Sequence, residues 1–282
     1  MSLCQMHKNI EDEVIDFNAH VQSAGEESIT DYLFWRWSLA NRSTSHFTAK
    51  TFTKIEENKI TGADFEMEIW FIGDNYSLPL AIQAKKISNE HKAYRSAFSY
   101  PDDTKQQINT LLNYAKQNKR VPLYMLYSKS AMCTYSKTPD CGIYIANALD
   151  IERFSDLPKG TKLPKTSILN KCIHFYQLFC ASNQNDLTGE DSIQTVISTL
   201  RELLAEKSAF TEAVIKQVED CKTEILPNYV RLILDSDQQK LNIDEELVQI
   251  IQKMSKSYGE IEPRKIVVID ARQKDRQDFI EI

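Results

Sequence analysis

The beginning of the chain carries apolar side chains at helical spacing, namely Ile10, Val14, Phe17 and Val21. This spacing predicts a helix over about residues 9–22. Gly25 interrupts the pattern. A capping signal of the S-x-x-D type at Ser28 then predicts a second helix that runs to about residue 41, because a serine side chain satisfies the free amides of a helix start.

After the second helix the pattern changes to an alternation of apolar and polar residues, which is typical of β-strands. It predicts three strands, at about residues 47–53, 63–72 and 78–87. The turn residues Gly73–Asn75 separate the last two strands. Because such residues favour tight reversals of the chain, we expect these two strands to form an antiparallel hairpin.

The remaining pattern places helices and strands on both sides of a polar segment at residues 181–186. Before that segment it predicts a helix at 103–119, strands at 121–127 and 142–146, and a helix at 167–181. After it, the pattern predicts helices at 191–207, 211–221 and 244–258, and a strand at 265–269. We therefore predict an α/β core at residues 1–182 and a mostly helical C-terminal appendage at 187–282.

The composition narrows the class of protein. No apolar run approaches the roughly 20 residues that cross a bilayer, and the N-terminus lacks the apolar region of a secretory signal, so we expect no membrane segment and, by default, a cytoplasmic location. The 6 cysteines and 5 histidines are dispersed without zinc-site spacing. We expect reduced, mostly buried thiols.

The net charge of −6 does not exclude a nucleic-acid partner, because binding depends on where the charge lies. Five basic side chains fall close together after the third strand, at Lys85, Lys86, His91, Lys92 and Arg95. Such a cluster favours a nucleic-acid partner locally, although by itself it is more typical of a solvated charged loop.

Two neighbouring strands carry the candidate chemistry. Alternation puts Asp64, Glu66 and Glu68 on one face of the second strand, and it puts Gln83 and Lys85 on one face of the third. Pairing of the strands would bring Asp64, Gln83 and Lys85 together. The alternative interpretation is the solvated face of an amphipathic hairpin.

These residue types suit phosphodiester hydrolysis. A carboxylate and a second oxygen donor can hold Mg²⁺ or Mn²⁺, and a lysine can stabilise the charge that builds on the phosphate. Glu27 precedes the second predicted helix, where the helix dipole favours an acid. Plain stabilisation of the helix start is the alternative role for Glu27.

In chain order, Glu27, Gly62-Ala-Asp64 and Gln83-Ala-Lys85 resemble the motifs of the PD-(D/E)XK superfamily of restriction-endonuclease-like nucleases. The resemblance is to the Mrr-like branch, in which glutamine replaces the acid before x-Lys. The segments Glu26–Asp31, Thr61–Glu66, Gln83–Lys86 and Val121–Tyr127 also resemble a family of bacterial nuclease-like proteins, some connected with defence against phage. The similarity covers about Glu26–Ala181 and implies a restriction-endonuclease-like core, with a mixed central sheet flanked by helices.

The resemblance also implies roles for single residues. It implies a metal site with Asp64 as principal ligand, Gln83 as a further ligand, Glu27 as the helical acid and Glu66 in support. Lys85 would be the catalytic lysine. Glu26 competes with Glu27, and sequence does not separate them. Gln83 departs from the commonest family pattern, because a neutral amide binds a cation less strongly than glutamate.

We therefore expect a Mg²⁺- or Mn²⁺-dependent endonuclease that hydrolyses phosphodiester bonds, with DNA as substrate and RNA as the alternative, acting as an anti-phage effector. The alternative from another class is a non-catalytic nucleic-acid-binding or scaffold protein on the same fold. In a nuclease, the C-terminal helices would bind a protein partner, help to read DNA or form a homo-oligomer.

Overall fold

The computed structural model describes residues 3–21, 23–41, 47–51, 67–87, 95–99, 105–129, 140–180, 190–239 and 265–272. The strands of this part of the chain are β1 (Phe47–Thr51), β2 (Met67–Ile72), β3 (Ser77–Ile87), β4 (Val121–Ser128), β5 (Gly142–Asn147), β6 (Cys172–His174) and β7 (Lys265–Asp270). The helices are α1 (Leu3–His20), α2 (Glu26–Asn41), α3 (Arg95–Phe98), α4 (Gln106–Asn118), α5 (Ala148–Ser155), α6 (Lys165–Leu169), α7 (Glu190–Ser198), α8 (Ala205–Lys207), α9 (Thr211–Asp220) and α10 (Asn228–Gln239). A 3₁₀ segment (Phe175–Phe179) follows β6, and a π-helical segment (Thr199–Leu204) joins α7 to α8.

The described strands form one mixed sheet in the order β1-β7-β2-β3-β4-β5-β6. The pairs β2–β7 and β3–β4 are parallel, and the other neighbours are antiparallel. Helix α4 lies between β3 and β4 in the chain, as a parallel pair requires a crossover. The fold is therefore mixed α/β, as the sequence predicts.

The predicted hairpin is present as β2 and β3. Gly73 N donates to Tyr76 O at 3.1 Å across the turn, and Met67 lies opposite Ile82 at the far end of the pairing. All six residues of β2 and all eight residues of β4 are buried, because helices cover both faces of the sheet. The hairpin is thus a central element and not an amphipathic surface ribbon.

Helices pack on each face of the sheet. The first core cluster lies between one face and helices α1, α2 and α7, with Trp37 and Ile29 of α2 fully buried. The second core cluster lies between the other face and helices α4, α5 and α6. Helix α10 packs on that second face over Trp70 and Ile72, through Val230, Ile233 and Leu234.

The C-terminal region is part of this sheet. Strand β7, close to its predicted position, lies between β1 and β2. The predicted division into residues 1–182 and 187–282 therefore does not separate two independent units, since both ranges contribute to one sheet. The predicted helix at 167–181 is wrong, because β6 and the 3₁₀ segment occupy most of that range. The predicted helix at 244–258 lies outside the described residues.

A disulfide joins Cys4 at the start of α1 to Cys180 after the 3₁₀ segment. The expectation of reduced thiols is wrong for this pair, whereas Cys172 and Cys221 are free and buried. The cytoplasmic location expected by default stays a prediction.

In the part of the chain that the structure describes, no helix combines the length and the apolar character needed to span a bilayer.

Candidate functional site

The C-terminal half of β3 buries two of the predicted site residues side by side. Alternation along the strand sends Ile82 and Ala84 into the first core cluster and Gln83 and Lys85 to the opposite face, which also carries Ala81 of the second core cluster. Gln83 is only 3% exposed and Lys85 only 8%. The alternative of a solvated hairpin face is therefore wrong for this strand.

Helix α2 brings a carboxylate to the lysine. The helix begins at Glu26, and Oε2 of Glu26 lies 3.8 Å from Nζ of Lys85. The other oxygen, Oε1, accepts a hydrogen bond of 3.1 Å from the backbone amide of Lys86. The partial positive charge of a helix start favours an acid at this position. One carboxylate thus contacts both the strand backbone and the candidate catalytic amine.

Two further bonds fix the start of α2 against the sheet. The hydroxyls of Thr30 and Tyr127 lie 2.8 Å apart, which ties the first turns of the helix to β4. Nζ of Lys86 donates to Ala24 O at 2.6 Å, just before the helix begins. Because these bonds involve two different strands, the position of Glu26 is set by the sheet and not by the helix alone.

Glu26, one of the two acids that the sequence leaves open, lies 3.8 Å from Lys85. Glu26 is partly buried, and Glu27, the next residue of the same turn, is exposed. Asp64 and Glu66, the other predicted ligands, lie outside the described residues. The structure therefore brings Glu26 to Lys85, and Lys85 shares a strand face with Gln83.

The side chain of Gln83 has an unusual environment. Its Oε1 atom is buried and has no hydrogen-bond partner among the residues that the structure describes. Its Nε2 atom makes only a long contact of 3.5 Å to Ala84 O. A buried amide oxygen without a partner normally costs stability. It is also a ready ligand for a hard cation, since Mg²⁺ and Mn²⁺ prefer oxygen donors.

The described residues supply only part of a metal site. They contain no group of three or more histidine, cysteine, aspartate or glutamate side chains that could hold a metal ion. Glu26 and Gln83 offer oxygen atoms only, which fits a hard divalent cation better than zinc. A complete ligand set would need carboxylates from outside the described ranges, where Asp64 and Glu66 lie.

Two further lysines, Lys129 and Lys165, lie close together near the end of β4, and the sequence pattern does not indicate them. Lys129 directly follows β4, and its Nζ donates to Asn18 O at 2.8 Å. Lys165 Nζ donates to Lys129 O at 2.9 Å and to Asp140 Oδ2 at 2.8 Å. Burial lowers the pKa of Lys86, and the nearby charge of Lys129 lowers it further, while Glu26 opposes both effects.

Glu68 shares its strand with the predicted ligands but has a different role. It is fully buried, and four side chains donate to it, namely Trp70 at 2.8 Å, Tyr114 at 2.5 Å, Arg120 at 2.8 Å and Tyr229 at 2.6 Å. Burial and the charge of Glu68 raise the pKa of both tyrosines, so they remain protonated donors. Because its oxygens are already bonded in this way, Glu68 serves the core.

Comparison with family models matches residues 3–275 to a family described as a family of unknown function (DUF6615). Comparison with curated proteins gives no match, and comparison with solved structures gives none either. The functional argument therefore depends on the geometry of this chain.

Proposed function

The chain belongs to the family of unknown function DUF6615, and we propose that it is a Mg²⁺- or Mn²⁺-dependent nuclease with a restriction-endonuclease-like core that hydrolyses phosphodiester bonds in DNA. One observation carries the proposal. The carboxylate of Glu26 approaches the amine of Lys85 to 3.8 Å, and Gln83, two residues before Lys85 on the same strand face, has a buried oxygen without a hydrogen-bond partner among the described residues. An acid, an amide oxygen and an amine are the groups that such a site needs.

The sequence pattern supplies the remaining candidate ligands. Alternation puts Asp64 and Glu66 on one face of the predicted second strand, and both residues lie outside the described ranges. We propose Asp64 as the further carboxylate of the site on the sequence pattern and the resemblance alone.

Each side chain has a definite task in this proposal. Glu26, Gln83 and Asp64 would hold the divalent cation, which supplies a lowered water pKa and a polarised phosphate when bound. Lys85 holds a positive charge beside the reacting phosphate and stabilises the negative charge that develops on it. Burial strengthens that effect, since charges interact more strongly away from water. The hydrogen bonds of the Lys86 amide to Glu26 and of Thr30 to Tyr127 hold Glu26 in position for this role.

Two adjacent acids allow a matched test. Glu26→Gln and Glu27→Gln each remove one charge from the first turn of α2, so their effects on the helix start are similar. Purified parent and variants are incubated with plasmid DNA, single-stranded DNA and RNA, in Mg²⁺, Mn²⁺ or EDTA. We expect metal-dependent cutting of DNA by the parent, loss of cutting in Glu26→Gln, and near-parental cutting in Glu27→Gln.

Lys85→Ala provides the second comparison. Loss of one group that stabilises the transition state lowers kcat by about 10²–10³-fold, so this variant should cut at that reduced rate. Equal cutting by the parent, Glu26→Gln and Lys85→Ala would overturn the proposed site. Metal-independent binding of DNA without cutting by the parent would favour a non-catalytic binding protein on the same fold.

A further inference from the structure

Helix α2 presents a large aromatic side chain to solvent. Trp35 is 52% exposed, whereas the other two tryptophans of the chain, Trp37 and Trp70, are fully buried. Phe17 of α1 and Tyr32 of α2 are partly buried. We call Phe17, Tyr32 and Trp35 the aromatic surface. Tryptophan and tyrosine are enriched where proteins bind one another, so this surface is a candidate interface.

Ring contacts join the aromatic surface across the two helices. The rings of Phe17 and Tyr32 stack with centres 4.5 Å apart and planes 6° from parallel. The rings of Tyr32 and Trp35 have centres 5.5 Å apart and are tilted by 51°. These contacts hold the side chains in place before a partner arrives. The aromatic surface is therefore preorganised, which lowers the entropy cost of binding.

Trp35 already interacts with a guanidinium group of the same helix. Cζ of Arg36 lies 5.5 Å from the centre of the Trp35 ring. Nη2 of Arg36 also donates to Oε1 of Glu13 at 2.8 Å. The face of an indole attracts cations through its quadrupole. Because Trp35 stays half exposed beside Arg36, a second cation can reach the ring.

Ion pairs offset all but one of the nearby acids. Glu13 is paired with Arg36, and Asp31 is paired with Lys265 at 3.0 Å. Asp16, which directly precedes Phe17 in α1, is exposed and forms no ion pair with any residue that the structure describes. Its negative charge is therefore available to a cation from another molecule.

The hydroxyl of Tyr32 lies in the field of these carboxylates. Burial raises the pKa of Tyr32, and the charges of Glu13 and Asp16 raise it further, while Arg36 opposes them. The whole chain also has a net charge of −6. Both the local and the overall charge thus favour a cationic partner.

We propose that the aromatic surface, together with Asp16, binds an arginine-rich segment of a partner protein. Arginine fits better than lysine, because a planar guanidinium stacks on an aromatic ring and still donates to a carboxylate. Arg36 makes both kinds of contact within this chain. A segment with several arginines would place one over Trp35 and another near Asp16. Nucleic acid fits poorly, since its phosphates would meet the same negative charge.

A synthetic peptide provides the test. A fluorescein-labelled peptide of alternating arginine and glycine is titrated with the full chain, and anisotropy gives the Kd. In parallel, unlabelled peptide is added while tryptophan emission is recorded. Trp35 alone among the tryptophans is not fully buried, so a saturable change in emission reports contact with the aromatic surface. A peptide with glutamate in place of arginine should not bind.

Four variants separate the contributions to binding. Trp35→Leu keeps an apolar side chain without a ring face and should weaken binding about fivefold, whereas Trp35→Phe should recover most of the affinity. Asp16→Asn should weaken binding about two- to fivefold, as expected for an exposed ion pair. Glu212→Gln removes an exposed acid of α9 and should leave the Kd unchanged. Thermal unfolding shows that each variant is folded.

Four results would overturn the proposal. Absence of saturable peptide binding by the parent would do so directly, and equal affinity of the parent, Trp35→Leu and Asp16→Asn would place the peptide elsewhere. A dimer in light scattering that Trp35→Leu converts to a monomer would assign the aromatic surface to a second copy of the chain. Displacement of the peptide by a DNA oligonucleotide, in the parent but not in Trp35→Leu, would assign it to nucleic acid. The measurements involve no cutting of DNA, so the proposed nuclease activity stands or fails separately.

Discussion

Arg120 donates through Nε to Oε1 of Glu68 at 2.8 Å within the second face of the sheet, where Glu68 has no exposed surface. Arg120 immediately precedes β4, and Glu68 lies in β2. The guanidinium also stacks 4.4 Å from the ring centre of Trp70 and donates to Tyr229 of α10. The pair therefore connects two strands of the sheet with the C-terminal helix.

We expect Glu68→Ala to destabilise the protein by about 3–5 kcal/mol, because breaking a buried ion pair leaves an uncompensated charge. Tyr229→Phe removes one donor and keeps the pair, so it should cost about 1.5–3 kcal/mol, as for a hydrogen bond to a charged group. Urea unfolding of both variants measures the two losses of stability, and Glu68→Ala should lose more than Tyr229→Phe. Similar losses in the two variants would contradict the central role of Glu68.

The sequence predicts the local elements of this fold better than their arrangement. Helix α2 and strand β4 appear close to their predicted positions, because each element buries a face with its own period, whereas α1 begins at Leu3, before the predicted start at about residue 9. The place of β7 between β1 and β2, in contrast, could not be predicted from the sequence pattern. It depends on pairing between residues far apart in the chain, and no local period encodes which strand becomes the neighbour.

In the candidate site, too, the sequence predicts the local features better than their spatial arrangement. Gln83 and Lys85 share a buried face, as alternation predicts. The contact of Glu26 with the lysine depends on how α2 meets β3 and β4, which spacing within the helix does not determine. Lys129 was not predicted because it follows a strand like any turn residue. Its environment comes from Asn18, which is distant in sequence.

The Cys4–Cys180 disulfide should contribute about 2–4 kcal/mol, because it closes a long loop of the unfolded chain and restricts that state. Cys4→Ala should lower stability by this amount in guanidinium unfolding under non-reducing conditions. The matched comparison is the double variant Cys4→Ala/Cys180→Ala. Since both changes break the same bond, the double variant should lose about as much as either single variant. Losses that simply add would show that the bond is not formed in solution.

His7 should make the protein sensitive to acid. The ring is buried and stacks on Phe179 with centres 3.4 Å apart, and burial lowers the pKa of His7 to about 3, opposed by a hydrogen bond to Leu3 O. A depressed pKa means that the unfolded chain binds the proton more readily. The contribution of His7 to the free energy of unfolding is therefore complete above about pH 6.5, and it is lost as the pH falls towards 3.

The slope of this loss provides the measurement for His7. One group of this kind contributes at most about 1.4 kcal/mol per pH unit to the free energy of unfolding. We expect His7→Gln to show a shallower fall of stability between about pH 6 and pH 4 than the parent. Parallel curves for the parent and the variant would mean that His7 is protonated or solvated in the folded protein.

Substitution of Gln83 tests whether its unpartnered oxygen is a metal ligand. Gln83→Met has a similar shape without polar atoms, so it should keep or raise stability in EDTA, because a buried oxygen without a partner is removed. The same variant should lose the rise in melting temperature that Mg²⁺ gives the parent. Ligands that bind only the folded state stabilise it in proportion to their affinity.

Gln83→Glu should differ from Gln83→Met in both conditions, with lower stability in EDTA and a larger stabilisation by Mg²⁺. A carboxylate buried on this face is unfavourable in EDTA, because burial disfavours its charged form. It becomes a stronger ligand when Mg²⁺ is present, so the gain in melting temperature between EDTA and Mg²⁺ should exceed that of the parent. Thermal unfolding of the parent, Gln83→Met and Gln83→Glu in both conditions measures all three gains. If the three gains are equal, Gln83 does not bind the cation, and the proposed metal site loses the oxygen that distinguishes it from an ordinary buried amide.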